Sequence, residues 1–195
     1  MSAHRLPPPD HYVLEIAGVR RHLPVVAVDG GLAIAVLNIL GDTELVEAAA
    51  RELARRLEPR NYEVLLTAEA KSIPIAHALS VTSGRPYIVL RKTYKSYMGE
   101  ALRVTTHSIT TGHEQVLYLD AKDRKLLSGR AVVLLDDVIS TGSTLDGLRA
   151  IAREAHARVV AEAAIATEGE AGRWGGIIAL AHLPLFAAPL PPPSA

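Results

Sequence analysis

Asp136 and Asp137 stand side by side after an apolar run, Val132-Val133-Leu134-Leu135. Val138-Ile139 and a small, hydroxyl-rich turn, Ser140-Thr141-Gly142-Ser143-Thr144, follow them. The apolar run reads as a buried strand, and Leu145 to Ala155 reads as a helix. Such a strand delivers an acidic pair to a sheet edge beside the first N–H groups of a helix. Those groups lack intrahelical partners and sit at the positive end of the helix dipole, so they form a ready anion site. The four hydroxyls of the turn add donors, and Gly142 lets the backbone approach an anion closely. Two carboxylates beside a phosphate cradle would repel a bare phosphate. They suit a ligand with a phosphate at one end and vicinal hydroxyls in its middle, as in a ribose 5-phosphate. The competing reading is an ordinary strand–turn–helix with surface aspartates and a Ser N-cap. The ordered apolar–acidic–apolar–hydroxyl–Gly–hydroxyl pattern is far more specific than a lone Asp-Asp.

This segment closely resembles the phosphoribosyl pyrophosphate (PRPP) loop of type I phosphoribosyltransferases. The resemblance implies that Asp136 and Asp137 hold the ribose 2- and 3-hydroxyls, and that Ser140, Thr141, Gly142, Ser143 and Thr144 hold the 5-phosphate. It implies a type I phosphoribosyltransferase fold: α/β, with a mostly parallel central sheet flanked by helices, a small hood and a flexible active-site loop. Mg²⁺ would accompany PRPP, held through PRPP and waters and by Asp136 or Asp137.

Two further segments extend the resemblance toward the purine branch of the family. Thr67-Ala68-Glu69-Ala70-Lys71-Ser72 follows a strand, as the pyrophosphate-binding loop does there. Lys71 would supply charge to the diphosphate, Ala70 a backbone amide, and Glu69 would organise the loop or a metal-bound water. The family often has Gly where Ser72 stands. Arg91-Lys92-Thr93-Tyr94-Lys95 follows the next strand, and Arg91, Lys92 and Lys95 suit a multiply charged phosphate ligand. Adenine, xanthine and archaeal hypoxanthine enzymes carry an Arg-Lys pair here before a flexible loop. In several members that loop reaches PRPP in the neighbouring subunit, which implies a homodimer.

The chain also departs from the pattern. Thr106 to Gly112 has neither the Tyr nor the Glu that many adenine enzymes carry near the end of that loop, and Ser140 stands where hypoxanthine-guanine salvage enzymes have an Asp. The resemblance leaves Ile139, Glu168 and His107 as candidates for base contact. Thr167-Glu168-Gly169 resembles the start of the hood, although an ordinary surface Glu is an equal alternative for Glu168. The histidines form no metal pattern, since His107 and His113 lack the spacing of a helical H-x-x-x-H site. Trp174 is expected to pack the hood.

A repeating α/β pattern must position these residues. Strands are expected at Tyr12 to Ile16, Leu23 to Val28, Glu63 to Thr67, Pro86 to Leu90, Ala131 to Leu135 and Val159 to Ala166. Helices are expected at Thr43 to Leu57, capped by Asp42 or Thr43, and at Ile73 to Ser80. Short apolar strands alternating with helices argue for a parallel sheet covered on both faces, with ligands outside the carboxyl ends of its strands. The polar stretch from Arg91 to Gly112 reads as a functional loop. Residues 1–10, with Pro7-Pro8-Pro9, read as a flexible arm. Residues 11–183 form the domain, with hood elements from the N-terminal strands and 167–183, and 184–195 reads as a Pro-rich tail.

The 195 residues carry a formal net charge of zero, so neither nucleic acid nor an anionic membrane is expected as a partner. There is no cysteine, which removes disulfides, zinc–thiolate sites and cysteine nucleophiles. No apolar run reaches the ~20 residues of a membrane span, and the first residues lack a signal-peptide core, so a cytoplasmic enzyme is expected. The resulting expectation is a purine phosphoribosyltransferase that uses PRPP and a purine base, adenine first, then hypoxanthine or xanthine. A non-catalytic PRPP-binding regulator of the same fold is the alternative, and an orotate-type enzyme is less favoured.

Overall fold

The computed structural model describes residues 9–28, 30–107 and 114–188. Most of the N-terminal arm, the end of the polar stretch at 108–112 and the tail beyond 188 lie outside the described residues.

Five strands form an all-parallel sheet in the order β10-β9-β8-β4-β5: β4 (Val64–Ala68), β5 (Tyr87–Leu90), β8 (Ala131–Ile139), β9 (Arg158–Glu168) and β10 (Ile178–Leu183). The two central strands are apolar on both faces. Leu65, Val133 and Leu135 enter one core cluster, while Val64, Leu66, Val132 and Leu134 enter the other. Burial on both faces is what produces a continuous apolar run instead of an alternating one.

Helices α1 (Thr43–Leu57) and α2 (Ile73–Ser83) pack into the first cluster. Asp42 caps α1 by accepting from Leu45 N at 3.2 Å, and the apolar stripe Leu45, Val46, Ala49, Leu53, Leu57 is buried as its spacing predicts. Arg21 binds the same cap carboxylate at 2.7 and 2.8 Å and holds its pKa below the usual carboxylate range. This ties α1 to a second sheet, ordered β1-β2-β3-β11, from β1 (His11–Ile16), β2 (Val19–Val28), β3 (Leu32–Ala35) and β11 (Leu185–Ala187).

The second cluster is covered by α4 (Ser143–Glu154), a short helix α3 (Arg124–Leu127) and an antiparallel hairpin of β6 (Leu102–His107) and β7 (Glu114–Leu119). The hairpin replaces part of the loop expected over Arg91 to Gly112. Leu102 and Val104 alternate with Arg103 and Thr105 and turn toward the core, a four-residue signal too short to stand out in a polar stretch. Leu117 of the hairpin packs so closely on α4 that a Cβ at Gly147 would lie 2.5 Å from its Cδ1. The main-chain groups of Arg91 and Tyr118 exchange hydrogen bonds of 3.0 and 2.8 Å and fix the hairpin beside β5.

Two boundaries differ from the sequence expectation. Ile178–Leu183, assigned to the hood, extends the main sheet in parallel beside β9. Leu185–Ala187, assigned to the tail, pairs antiparallel with β3. Pro184 separates the two, so the chain leaves one sheet and enters the other within a residue. Among the described residues no helix is long and apolar enough to cross a membrane.

Candidate active site

From β4 the chain runs by way of α2 to β5 on one side, then returns across β4 to place β8 on the other. Connections therefore diverge between β4 and β8. A crevice opens at the carboxyl ends of such strands, where α/β sheets bind ligands. The segments singled out in the sequence converge on this edge: 69–72 after β4, 91–95 after β5, 140–144 after β8, and Glu168 at the end of β9.

The β8–α4 turn is built from backbone. Gly142 is the N-cap of α4 at φ 86°, a left-handed conformation that L side chains rarely adopt, and no side chain caps the helix. The helix begins at Ser143, two residues earlier than expected, and the Ser N-cap of the competing reading is not formed. Thr141 Oγ1 lies 3.2 Å from Ser143 Oγ. Together Ser140 to Leu145 line a polar cleft of about 60 Å³, which also reaches Asp136. A larger cavity of about 470 Å³ lies at the opposite end, by the C-termini of α1 and α2, and contains none of the predicted site residues.

The acidic pair is almost closed off from water: Asp136 is 8% and Asp137 7% exposed. Adjacent strand residues normally point to opposite faces. Here both carboxylates reach one hydroxyl, that of Ser72, at 2.6 Å from Asp136 Oδ1 and 3.1 Å from Asp137 Oδ1. The apolar alternation reverses across the pair, since Leu135 and Val138 share one cluster and Leu134 and Ile139 the other. Burial raises the Asp136 pKa to about 7; Ser72 opposes the shift and the neighbouring Asp137 charge adds to it. Asp137 Oδ2 is buried and accepts no hydrogen bond, but Lys71 Nζ lies 3.3 Å away as an ion pair.

On the β4–β5 side the groups satisfy one another. Glu69 faces Arg91 as an ion pair without hydrogen-bond geometry at Nε, and its Oε1 accepts from Lys92 N at 2.6 Å. Glu69 thus organises the loop. The Glu69–Ala70 peptide is cis. Lys71 also donates to Leu37 O at 3.1 Å. Lys92 and Lys95 are exposed beside them.

The base-contact candidates fare differently. Ile139 is 1% exposed and packs into the second cluster with Leu145, so its side chain does not face the crevice. Half-buried Val138 lies on the other side of the strand. Both residues border the cleft of the β8–α4 turn. Glu168 is half-buried and its pKa is raised by burial, with Lys71 close enough to oppose the shift. His107 ends β6, but its side chain lies outside the described residues.

Ser72 and Arg173 carry no role in the sequence reading, and Trp174 is expected there only to pack the hood. Ser72 bridges the acidic pair. Arg173 donates to Thr141 O at 2.7 Å, and its guanidinium sits 4.5 Å over the Trp174 ring. Trp174 donates to Glu168 O at 2.8 Å and lies against Gly142, where a Cβ would come within 3.0 Å of the indole. The segment after β9 is thereby fastened onto the β8–α4 turn. Nothing local in Arg173-Trp174 signals that contact.

A family model described as the phosphoribosyl transferase domain matches residues 37–172. The chain belongs to the phosphoribosyl transferase family. Among its relatives, the hypoxanthine/guanine phosphoribosyltransferase of Methanothermobacter thermautotrophicus is 35% identical over 134 residues, covering 69% of this chain and 65% of that protein. The xanthine phosphoribosyltransferase of Chloroflexus aurantiacus is 36% identical over 127 residues, covering 65% of this chain and 59% of that protein. The match thus spans somewhat less than two-thirds of each relative's length. Among solved structures, an APRTase from Giardia lamblia complexed with 9-deazaadenine has the same fold, with a TM-score of 0.68 at 17% identity over 82% of this chain and 93% of that chain.

Proposed function

We propose that this member of the family transfers the 5-phosphoribosyl group of PRPP to a purine base and releases pyrophosphate. The observation that carries the reading is the pair of buried, adjacent carboxylates at the β4/β8 divergence, next to a helix N-terminus with no side-chain cap. Asp136 and Asp137 accept hydrogen bonds from vicinal ribose hydroxyls, while the amides and hydroxyls of 140–144 hold the 5-phosphate. Lys71 leaves Asp137 for the diphosphate, joined by Arg91, Lys92 and Lys95. The acceptor is a 6-oxopurine before adenine. The relatives similar in sequence are named for hypoxanthine/guanine and xanthine, whereas the likeness to an adenine enzyme is one of fold. Glu168 is the acidic group nearest to hand for the base.

The donor set suits magnesium. Among the described residues no three His, Cys, Asp or Glu side chains come together as a metal cage. Mg²⁺ commonly takes one or two carboxylates plus substrate phosphates and waters. Asp136 or Asp137 would hold it with PRPP, and the ion would neutralise the diphosphate. The protein's own share is positioning and electrostatics: it fixes the ribose, and the carboxylates stabilise positive charge developing on it. We also propose a homodimer, with the exposed segment from Tyr94 to Tyr97 facing the partner.

The test is pyrophosphate release from PRPP and Mg²⁺ with hypoxanthine, guanine, xanthine and adenine offered separately. Turnover with a 6-oxopurine is expected. PRPP binding with no turnover on any base would favour the regulator, and no PRPP binding would overturn the reading.

A further inference from the structure

Ser72 occupies an unusual position for a loop hydroxyl. It is 3% exposed, and its Oγ lies within 3.1 Å of three groups of the acidic pair: Asp136 Oδ1, Asp137 Oδ1 and Asp137 N. A hydroxyl has one proton to give and two lone pairs. The 2.6 Å distance assigns the donation to Asp136, and the amide of Asp137 fills an acceptor site on the same oxygen. Asp136 Oδ1 accepts in addition from Asp137 N at 2.9 Å. The hydroxyl therefore closes a ring through the backbone between the two aspartates, where the strand alternation reverses. Ser72 also precedes Ile73, the first residue of α2, so it is anchored to a packed helix and not to a free loop.

We propose that Ser72 is a positioning residue for the phosphoribosyl donor: its hydroxyl holds the Asp136 carboxylate and the Asp137 amide where the strand alternation reverses, so that the two carboxylates meet the ribose diol together. The inference rests on the reading of Asp136 and Asp137 as ribose ligands. Ser72 touches no substrate itself. It joins the pyrophosphate side of the crevice, through its neighbour Lys71, to the ribose side. This chain thus orients its acidic pair with a side chain.

The test is isothermal titration of ribose 5-phosphate and, separately, inorganic phosphate into the wild type, S72A, S72C and S72T. Inorganic phosphate probes the 140–144 cradle alone, while ribose 5-phosphate needs the acidic pair too. Losing a hydrogen bond to a charged group corresponds to about a tenfold or larger change in a dissociation constant. S72A is expected to bind ribose 5-phosphate about tenfold or more weakly, with inorganic phosphate within about twofold of wild type, and S72T to restore most of the loss. If S72A does not fold, S72C, of similar size with a weak donor, is read by the same criterion. Unchanged ribose 5-phosphate binding, or equal loss of both ligands, overturns the inference. If the wild type binds neither ligand, the underlying reading of the site fails instead.

Discussion

The two halves of the crevice are built by different means. The β8–α4 half is fixed by the fold: a left-handed Gly142 with no cap side chain of its own, and carboxylates buried in the sheet. The β4–β5 half is made of long side chains that, without ligand, bind one another, as in Lys71–Asp137 and Glu69–Arg91. On the proposed reading, the first half needs only the release of Lys71 from Asp137 to take a ribose phosphate. The second must exchange its internal pairs for a diphosphate. Preorganisation is thus uneven, and on the proposed reading the rearrangement is concentrated on the side of Lys71 and Arg91.

Breaking the preformed half should have the largest effect. D136N and D137N each replace a carboxylate by an amide, and above pH 7, where Asp136 is ionised, kcat/KM for PRPP is expected to fall about 100-fold with the melting temperature little changed; steady-state kinetics beside thermal unfolding checks this. K71A strikes the other half. A tenfold rise in KM for PRPP is expected, on the order of one charge-assisted hydrogen bond, while ribose 5-phosphate binds undiminished because Lys71 no longer competes for Asp137. Equal weakening of both ligands in K71A would erase the contrast between the halves.

G142A tests the backbone cradle. A left-handed alanine costs about 1–2 kcal/mol, and its methyl would meet Trp174. Stability should drop by that order in a denaturant titration, and inorganic phosphate should bind several-fold more weakly. The pH dependence of stability gives a smaller effect. Native Asp136 holds its proton up to about 7, whereas the unfolded carboxyl releases it near 3.8. Over that window Asp136 binds more protons in the native than in the unfolded state, so its own contribution to stability falls as pH rises. The difference in denaturation midpoint between the metal-free wild type and D136N should therefore shrink as pH rises from about 5 toward 7.

Much of this was legible in the sequence, for reasons visible in the residues. Strands apolar on both faces and a capped helix at Thr43–Leu57 are local patterns, and their placement follows. So does the convergence of the motifs, because parallel strands send every carboxyl end to one edge. The hairpin was hidden because Leu102 and Val104 are too few apolar positions among polar neighbours. Pairing of Leu185–Ala187 with β3 depends on a partner some 150 residues away. The burial of the Ile139 side chain in the second cluster follows from the reversal of alternation at the acidic pair, which a local pattern does not show. Ser72 and Arg173, and the contact of Trp174 with Gly142, act between distant segments, which single-sequence periodicity does not record.

Trp174 is the only tryptophan in the chain and lies against the 5-phosphate turn, so its fluorescence reports occupancy of that turn. The most direct measurement is a PRPP titration, followed by this signal, of the wild type and of the D136N/D137N double variant. Saturable binding by the wild type, weakened about 100-fold or more in the double variant, is the predicted result. Equal affinity in the two proteins would contradict the assignment of the acidic pair to the ribose.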